Sequence, residues 1–399
     1  MTEATDDEAL NVLLLAEDFY PKESGGAFID WNVATYLVRH GDSVTTVTPR
    51  NGDTARKEIV NGVEIRRPFR GHSNDRHPNS IRGFFRRILF VLFLVPYLFV
   101  LCWRREFDLI YSTNHLLHPL AAIVGFVNRL PHISFIGFSP SIREERPIFD
   151  PLVLLERVNF RFFVGDRVLC QTPKVQDILS EAFSCNVERL DGIVDKETIK
   201  SAIDSSNASK SRARVSADIQ LIFVGRLVDI KNPTKLPGLI SNLPSAYSLL
   251  IVGDGPKREA VEVAINEAGV GDRIEIVGRL PHEETLQLIH ESDILILPSE
   301  TESYGAVVFE ALSLNTPVVA SPVGVLPMVD HPNLNIAEIE DFADTIPEIS
   351  LEQPDGINSE TLEEFAVDRF AENVRKQMLL GCSTTQFIKN QLIYYWVIL

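Results

Sequence analysis

Two series of short apolar runs constrain this chain more than any other feature. In the first half, NVLLLAE (Asn11 to Glu17), SVTTVT (Ser43 to Thr48), FDLIYS (Phe107 to Ser112), Ile133 to Gly137 and Val168 to Gln171 are separated by helix-like stretches such as Ile29 to Arg39. In the second half, QLIFV (Gln220 to Val224), SLLIV (Ser248 to Val252), RIEIV (Arg273 to Val277), DILIL (Asp293 to Leu297) and PVVA (Pro317 to Ala320) repeat the pattern. Such runs read as buried strands, and their alternation with helices implies βαβ units and parallel sheets. Between the series, DSSNASKSRARVSAD (Asp204 to Asp218) is polar and small, so it reads as a linker or surface loop. The expected architecture is α/β, with two doubly wound, Rossmann-like domains facing across a cleft. Sheets of this kind bind ligands beyond the carboxyl ends of their strands. A chain of 399 residues has room for about two or three domains whose cores need no disulfide or metal staple. Cys102, Cys170, Cys185 and Cys382 show no CxxC spacing and the nine histidines form no zinc pattern, so neither a disulfide framework nor a metal site is expected.

Charge narrows the partners. The formal net charge is −17, and so acidic a chain is a poor general binder of nucleic acid, which needs clustered cations. The distribution is uneven. Arg50 to Glu106 holds twelve Lys/Arg against five Asp/Glu, which leaves −24 on the remainder and points to one local anionic partner. Within that region lies ILFVLFLVPYLFVLCW, Ile88 to Trp103, sixteen uncharged residues flanked by Arg86-Arg87 and Arg104-Arg105. A membrane-spanning helix needs about 20 apolar residues, and Pro96 interrupts this run. Besides a span, two readings stay open: a helix buried in a domain core, or one lying in a membrane interface with its arginines on anionic headgroups. The acidic start MTEATDDEAL lacks the basic and apolar regions of a signal peptide. The expectation is a cytoplasmic protein held peripherally at an anionic membrane surface, on its inner face.

The second half carries the chemistry-bearing motifs. IVGDGPKREAV (Ile251 to Val261) is a strand, a Gly-x-Gly turn and a helix, with Glu275 about twenty residues on, but the third glycine of a dinucleotide fingerprint is missing. FVGRLVDIKN (Phe223 to Asn232) places Arg226 and Lys231 at the carboxyl edge of a strand, where a guanidinium and an ammonium can grip a diphosphate. PSETESYGAVVFEAL (Pro298 to Leu312) follows the next strand but two, with seven residues between Glu302 and Glu310. Tyr304-Gly305 opens a helix, so the free amides of Gly305, Ala306 and Val307 form an anion site at its start. Glu302 then lies in the preceding loop, where a carboxylate can accept from sugar hydroxyls. Glu310 lies about two turns inside an apolar run, where burial without a partner is costly.

The E-x7-E block preceded by PS and followed by NTPVVASPVG, together with GRL…K and VGDGP, resembles the GT-B-fold retaining glycosyltransferases of glycosyl transferases group 1 (family 4). LLLAEDFYPKESGGA resembles the family's opening strand and glycine-rich loop, and LDGIVDKETI (Leu190 to Ile199) its domain-joining stretch, with Asp191 where asparagine is usual. The resemblance covers most of residues 11–380 and implies a first, acceptor-side domain over 1–195 and a nucleotide-sugar domain over 196–360. It assigns to 361–399 a helix, Glu360 to Met378, that returns to the first domain, followed by an apolar tail. It further implies hexosyl transfer from a nucleotide-diphosphate sugar, with no other cofactor, to a hydroxyl of a glycan or lipid-linked acceptor in cell-surface glycan synthesis. Arg226 and Lys231 then bind the diphosphate and, with Glu302, carry the catalysis. Glu302 also holds the donor sugar and Glu310 the ribose. Gly278, Arg279 and Leu280 line the base pocket, Tyr304 stands beside the amide site, and Gly25-Gly26 approach the diphosphate. No DxD motif is present, so no metal is expected.

The sequence departs from the family in three places. Gly137 or Phe138 stands where a histidine is frequent, with His115 and His118 on an earlier loop as substitutes or as packing residues. GVLPMV (Gly324 to Val329) replaces the commoner GG-x-PE, with Val325 and Met328 at the changed places. The tail GCSTTQFIKNQLIYYWVIL has no readable motif. These departures keep alternatives open: a GT-B epimerase or phosphorylase, or a catalytically weak saccharide- or lipid-binding scaffold.

Overall fold

The computed structural model describes residues 9–21, 24–70, 81–113, 117–137, 158, 163, 165–182, 187–206, 218–302, 304–351 and 356–398. The chain forms two compact units. One is Met1–Asp191 with Val367–Leu399; the other is Gly192–Ala366. The crossings therefore lie at 191/192 and 366/367, against the expected 195/196 and 360/361.

The first unit is built on an eight-stranded sheet. Its strands are β1 (Asn11–Leu15), β2 (Ser43–Val47), β3 (Lys57–Val60), β4 (Val63–Arg66), β5 (Leu109–Ser112), β6 (His132–Ile136), β7 (Arg167–Cys170) and β8 (Val187–Arg189), in the order β3-β4-β2-β1-β5-β6-β7-β8. Neighbours run parallel except β3 against β4. That hairpin turns at Asn61-Gly62, whose φ angles of 49° and 81° are the left-handed pair a tight two-residue turn requires. Helices α1 (Gly25–Arg39), α2 (Ile81–Arg104), α3 (His118–Asn128) and α4 (Pro173–Ala182) connect the strands. Ser24 caps α1, its Oγ accepting from Ala27 N at 3.2 Å.

Helix α2 divides the apolar run between two faces. Leu94, Leu98 and Leu101 are buried against Leu13, Leu15 and Ile110 of the sheet and Leu120 and Val124 of α3. The other face carries Leu92, Phe93, Val100 and Trp103 in solvent, Trp103 at 85% exposure. Among the described residues no helix is long and apolar enough to cross a membrane.

The second unit carries β9 (Ile219–Val224), β10 (Tyr247–Val252), β11 (Ile274–Gly278), β12 (Ile294–Leu297), β13 (Val318–Ala320) and β14 (Leu334–Ile336), all parallel in the order β11-β10-β9-β12-β13-β14. Its helices are α5 (Lys196–Ser206), α6 (Leu236–Asn242), α7 (Arg258–Ala268), α8 (His282–Glu291), α9 (Ala306–Ser313), α10 (Phe342–Thr345) and α11 (Ser359–Glu364). The strand order reverses between β9 and β12, so the crevice at their carboxyl ends is where such a sheet takes its ligand.

The last helix, α12 (Val367–Ile398), belongs to the first unit. It begins seven residues later than the expected helix and continues past Met378 instead of yielding to a separate tail. Its Arg375 makes a bidentate pair with Asp42, at 2.7 and 3.2 Å, and Asp42 Oδ1 also accepts from Leu10 N at 2.9 Å. Phe370 meets Phe135 edge to face at 5.4 Å.

Candidate active site

In the second unit the loops after β9 and β12 are stitched together, and the glycines explain how. The Gly-x-Gly turn after β10 lies directly on the turn after β9. A Cβ on Gly253 would stand 1.9 Å from Gly225 O, and one on Gly255 would stand 2.4 Å from Leu227 O. Leu227 N donates to Asp254 O at 3.1 Å and Lys257 N to Leu227 O at 3.0 Å. The dinucleotide-like motif is thus a support for the segment that carries Arg226 and Lys231. Beyond it, Asn232 takes the left-handed conformation (φ 50°) and its Nδ2 donates to Pro298 O at 3.0 Å, while Glu300 N donates to Ile230 O at 2.8 Å.

That stitching brings Lys231 onto Glu302. Lys231 Nζ pairs with Glu302 Oε1, which also accepts from Ser299 Oγ at 2.8 Å. Lys231 and Glu302 are mostly buried, 19% and 11% exposed at the side chain. An ammonium has three N–H groups, so two remain to Lys231 beyond this bond. Arg226 is exposed and has no ion-pair partner among the described residues.

Helix α9 supplies the rest. Gly305 caps it at φ 78°, a left-handed position that favours glycine. Val308 N is taken by Gly305 O at 2.9 Å, and the amides of Gly305, Ala306 and Val307 have no acceptor among the described residues. Tyr304 is buried; its hydroxyl accepts from Gly192 N at 3.2 Å and its ring packs on Phe309 at 4.7 Å. Phe309 in turn packs on Phe365 at 4.4 Å, whose carbonyl accepts from Ile193 N and Val194 N. Two segments bordering the crossings are thereby tied to each other and to the helix bearing Glu310.

Glu310 has a partner the sequence reading passed over. His282, first residue of α8, places Nε2 at 2.8 Å from Glu310 Oε1. This hydrogen bond holds the imidazole above its ordinary pKa, against partial desolvation. Glu310 is 14% exposed, and its Oε2 has no hydrogen bond among the described residues. Gly278 closes β11 at φ 87°, its carbonyl accepting from Gly253 N at 2.8 Å, and leads through exposed Arg279 and half-buried Leu280 to His282. His282 stands in the quoted segment IVGRLPHEE; only its reach to Glu310 was hidden. In the altered loop, Leu326 is buried beside Gly305, and Met328 is 62% exposed.

The first unit holds Gly25-Gly26 in the first turn of α1, with nothing within 4 Å of where a Cβ would stand on either. Next to that turn, Asp30 is buried. Its Oδ2 accepts from Thr113 Oγ1 at 2.7 Å, Oδ1 has no partner, and burial pushes its pKa up to about 8. His118 is also buried, its Nδ1 at 2.7 Å from Ser112 Oγ, which lies 2.7 Å from His132 Nε2. His115 and Phe138 lie outside the described residues. Among the described residues no group of His, Cys, Asp and Glu is placed to hold a metal ion.

At the switch point of this open parallel sheet stand two cationic side chains, a carboxylate and helix amides without acceptors among the described residues, a set of groups that can take an anionic ligand. Residues 204–350 match the family model described as Glycosyl transferases group 1. The chain is 24% identical over 335 residues to the phosphatidylinositol N-acetylglucosaminyltransferase GPI3 subunit of Saccharomyces cerevisiae, covering 80% of this chain and 69% of that one. Among solved structures it is similar to sucrose-phosphate synthase from Thermosynechococcus elongatus, with TM-score 0.64 and 17% identity over 98% of this chain and 99% of the other. Anabaena HepE in complex with UDP-glucose gives TM-score 0.59 and 16% identity over 96% and 100%. The chain has the GT-B fold, and its second unit is a glycosyl transferases group 1 domain.

Proposed function

We propose that the protein transfers a hexosyl group from a nucleoside-diphosphate sugar to an acceptor hydroxyl, with retention at the anomeric carbon and without a metal ion. The observation that carries this is the convergence of Lys231, Glu302, Arg226 and the α9 amides at the β9/β12 switch point. As the bond from the anomeric carbon to the diphosphate breaks, negative charge grows on the departing phosphate. The two remaining N–H groups of Lys231 and the amides of Gly305 to Val307 are fixed in advance to stabilise it, and the exposed Arg226 adds its charge when the donor binds. Glu302, held by Lys231 and Ser299, accepts from donor-sugar hydroxyls. Glu310 keeps Oε2 for the ribose diol while His282 orients Oε1. Gly278 to Leu280 border the base, and the open first turn at Gly25-Gly26 leaves room for a ligand to approach the backbone.

The acceptor in this reading is lipid-linked, and the chain works in the cytoplasm at the inner, anionic face of a membrane. The exposed apolar face of α2 supports this, as does the activity named for the GPI3 subunit. UDP-glucose in the HepE complex makes UDP-sugars the first donors to try. The experiment is a thermal-shift screen of UDP-, GDP- and ADP-sugars, followed by donor turnover with and without EDTA. A donor at a hundred times its dissociation constant should add about 2.7 kcal/mol of stability. Turnover should survive chelation; a loss restored by added metal would refute the metal-free reading. No stabilisation by any nucleotide sugar, and no turnover, would return the chain to the scaffold alternative.

A further inference from the structure

Past the ends of β2 and β4, at the carboxyl edge of the first sheet, the two chains pair once more with the register shifted by one residue. Thr48 N donates to Arg66 O at 3.0 Å, Arg50 N donates to Phe69 O at 2.8 Å, and Arg50 pairs with Arg70 in parallel register. Partners on adjacent strands are about 5 Å apart, and in-register parallel partners direct their side chains to one face. Two arginines therefore stand side by side, an arrangement that is unfavourable unless something negative lies between them. No carboxylate among the described residues pairs with either. Arg50 Nε is shut off from solvent and has no hydrogen-bond acceptor among the described residues.

The neighbouring Arg67 shows what a structural arginine here looks like. It is 2% exposed and three of its donors are taken: Nη1 donates to Glu58 Oε1 at 2.5 Å and to Ala55 O at 3.2 Å, and Nη2 donates to Tyr20 O at 2.7 Å. Through Tyr20 it also ties this edge to the loop between β1 and α1. The Arg50/Arg70 pair thus lies close in sequence to that tie, on the sheet edge where doubly wound folds take ligands, yet no counter-charge is supplied to it among the described residues. Two guanidinium forks present more donors than one planar carboxylate can accept from, whereas a tetrahedral phosphate offers three oxygens to both.

We propose that Arg50 and Arg70 form an anion subsite that binds a phosphate group on the acceptor. This rests on the reading of the first unit as the acceptor side of a glycosyltransferase. The phosphate can belong to a soluble phosphorylated polyol or to a lipid headgroup, and the test separates them. The full chain and its Arg50→Gln, Arg70→Gln and double variants are titrated with inorganic phosphate and glycerol 3-phosphate, and floated with phosphatidylcholine vesicles with and without phosphatidylinositol. Arg56→Gln, an exposed arginine in the same region, controls for loss of charge alone. We expect each subsite variant to weaken binding by about tenfold or more, the double variant to abolish it, and Arg56→Gln to leave it intact. Loss seen with the soluble probes assigns a soluble phosphate; loss seen only with vesicles assigns a headgroup. Without phosphate the subsite variants should melt no lower than wild type, since each removes an uncompensated cation; a lowered midpoint would make the pair structural. Binding indifferent to both arginines, or no binding of any probe, overturns the subsite. Because binding is read directly, a chain that binds phosphate through this pair but turns over no donor would sink the transferase reading alone.

Discussion

Glu310 and Arg226 are the residues on which the donor site is most exposed to test. Each is given a charge-assisted contact to the ligand, Glu310 from a mostly buried carboxylate and Arg226 from an exposed guanidinium, and losing such a hydrogen bond to a developing charge costs about 2–4 kcal/mol, or roughly 30- to 1000-fold in rate. Glu310→Ala and Arg226→Ala should therefore lose most turnover while unfolding like wild type; near-normal kcat/KM in either would remove the site assignment. In the Glu310 variant His282 also loses the bond that raises its pKa, so its titration, followed by NMR, should move down. Asp30 offers a second residue-level test, through pH. Burial pushes its carboxyl up to about 8 in the folded chain, from an ordinary 3.8. Between those values the unfolded chain has released a proton that the folded chain keeps. Stability thus falls as pH rises through this window, by at most about 1.4 kcal/mol per pH unit. Below it both states are protonated and the effect vanishes. His132, lowered to about 3 by burial, acts in the opposite sense, costing stability as pH falls below its ordinary value. Comparing Asp30→Asn with wild type cancels that contribution. The variant's advantage in urea-unfolding free energy should grow from pH 4 towards 8, and a difference that stays flat would show Asp30 to be ionised in the fold.

Elements show where sequence reasoning reaches and where it stops. The ten apolar runs all became strands, within one or two residues at most ends, because burial on both faces forces a continuous apolar pattern. The β3–β4 hairpin was missed although VNGV carries an Asn-Gly turn, since its strands are short and charged and lie inside a segment read for its charge. The uncharged run Ile88 to Trp103 marks no face of α2; only tertiary packing divides Leu94, Leu98 and Leu101 from Leu92, Phe93, Val100 and Trp103. In the site, the pairing of Lys231 with Glu302 and of His282 with Glu310 spans 71 and 28 residues, and no local pattern encodes contacts of that range. The same holds for α12, whose attachment to the first unit depends on Arg375 and Asp42, 333 residues apart and 9% and 0% exposed at the side chain. Removing one partner of a buried pair leaves the other charge uncompensated, at about 3–5 kcal/mol. Arg375→Ala should lower the urea midpoint accordingly, and Arg375→Ala with Asp42→Ala should recover part of the loss. A single variant as stable as wild type would mean that α12 is held by its apolar contacts alone.

At the scale of the whole molecule, the contest is between a net charge of −17 and a basic, partly apolar region that runs from Arg50 to Glu106. Anionic bilayers should repel most of this surface. The attraction must come from a patch that dominates within a Debye length, about 8 Å at physiological ionic strength. The structure sharpens what that patch is. Beside the exposed stripe of α2, helix α3 presents Ile123 at 44%, Val127 at 58% and Phe126 at 87% exposure, so two packed helices of the first unit each carry apolar side chains into solvent. Arg104 and Arg129 are exposed at their ends. Arg105 is held differently: it pairs with Glu64 at 2.9 Å, so part of its charge is met within the fold. Basic residues near an anionic surface contribute about 1 kcal/mol each, and a fully buried aromatic or aliphatic side chain about 1.5–3 kcal/mol. Apolar insertion is therefore the larger contribution, and charge sets the selectivity. In vesicle flotation, Trp103→Ser with Phe126→Ser should release the protein from anionic and neutral vesicles alike. Arg104→Gln with Arg129→Gln should weaken only the binding to anionic vesicles, and added salt should act in the same direction. Wild type that stays with neither vesicle, or flotation unaffected by both pairs of substitutions, would remove the membrane from the proposal and leave the acceptor a soluble molecule.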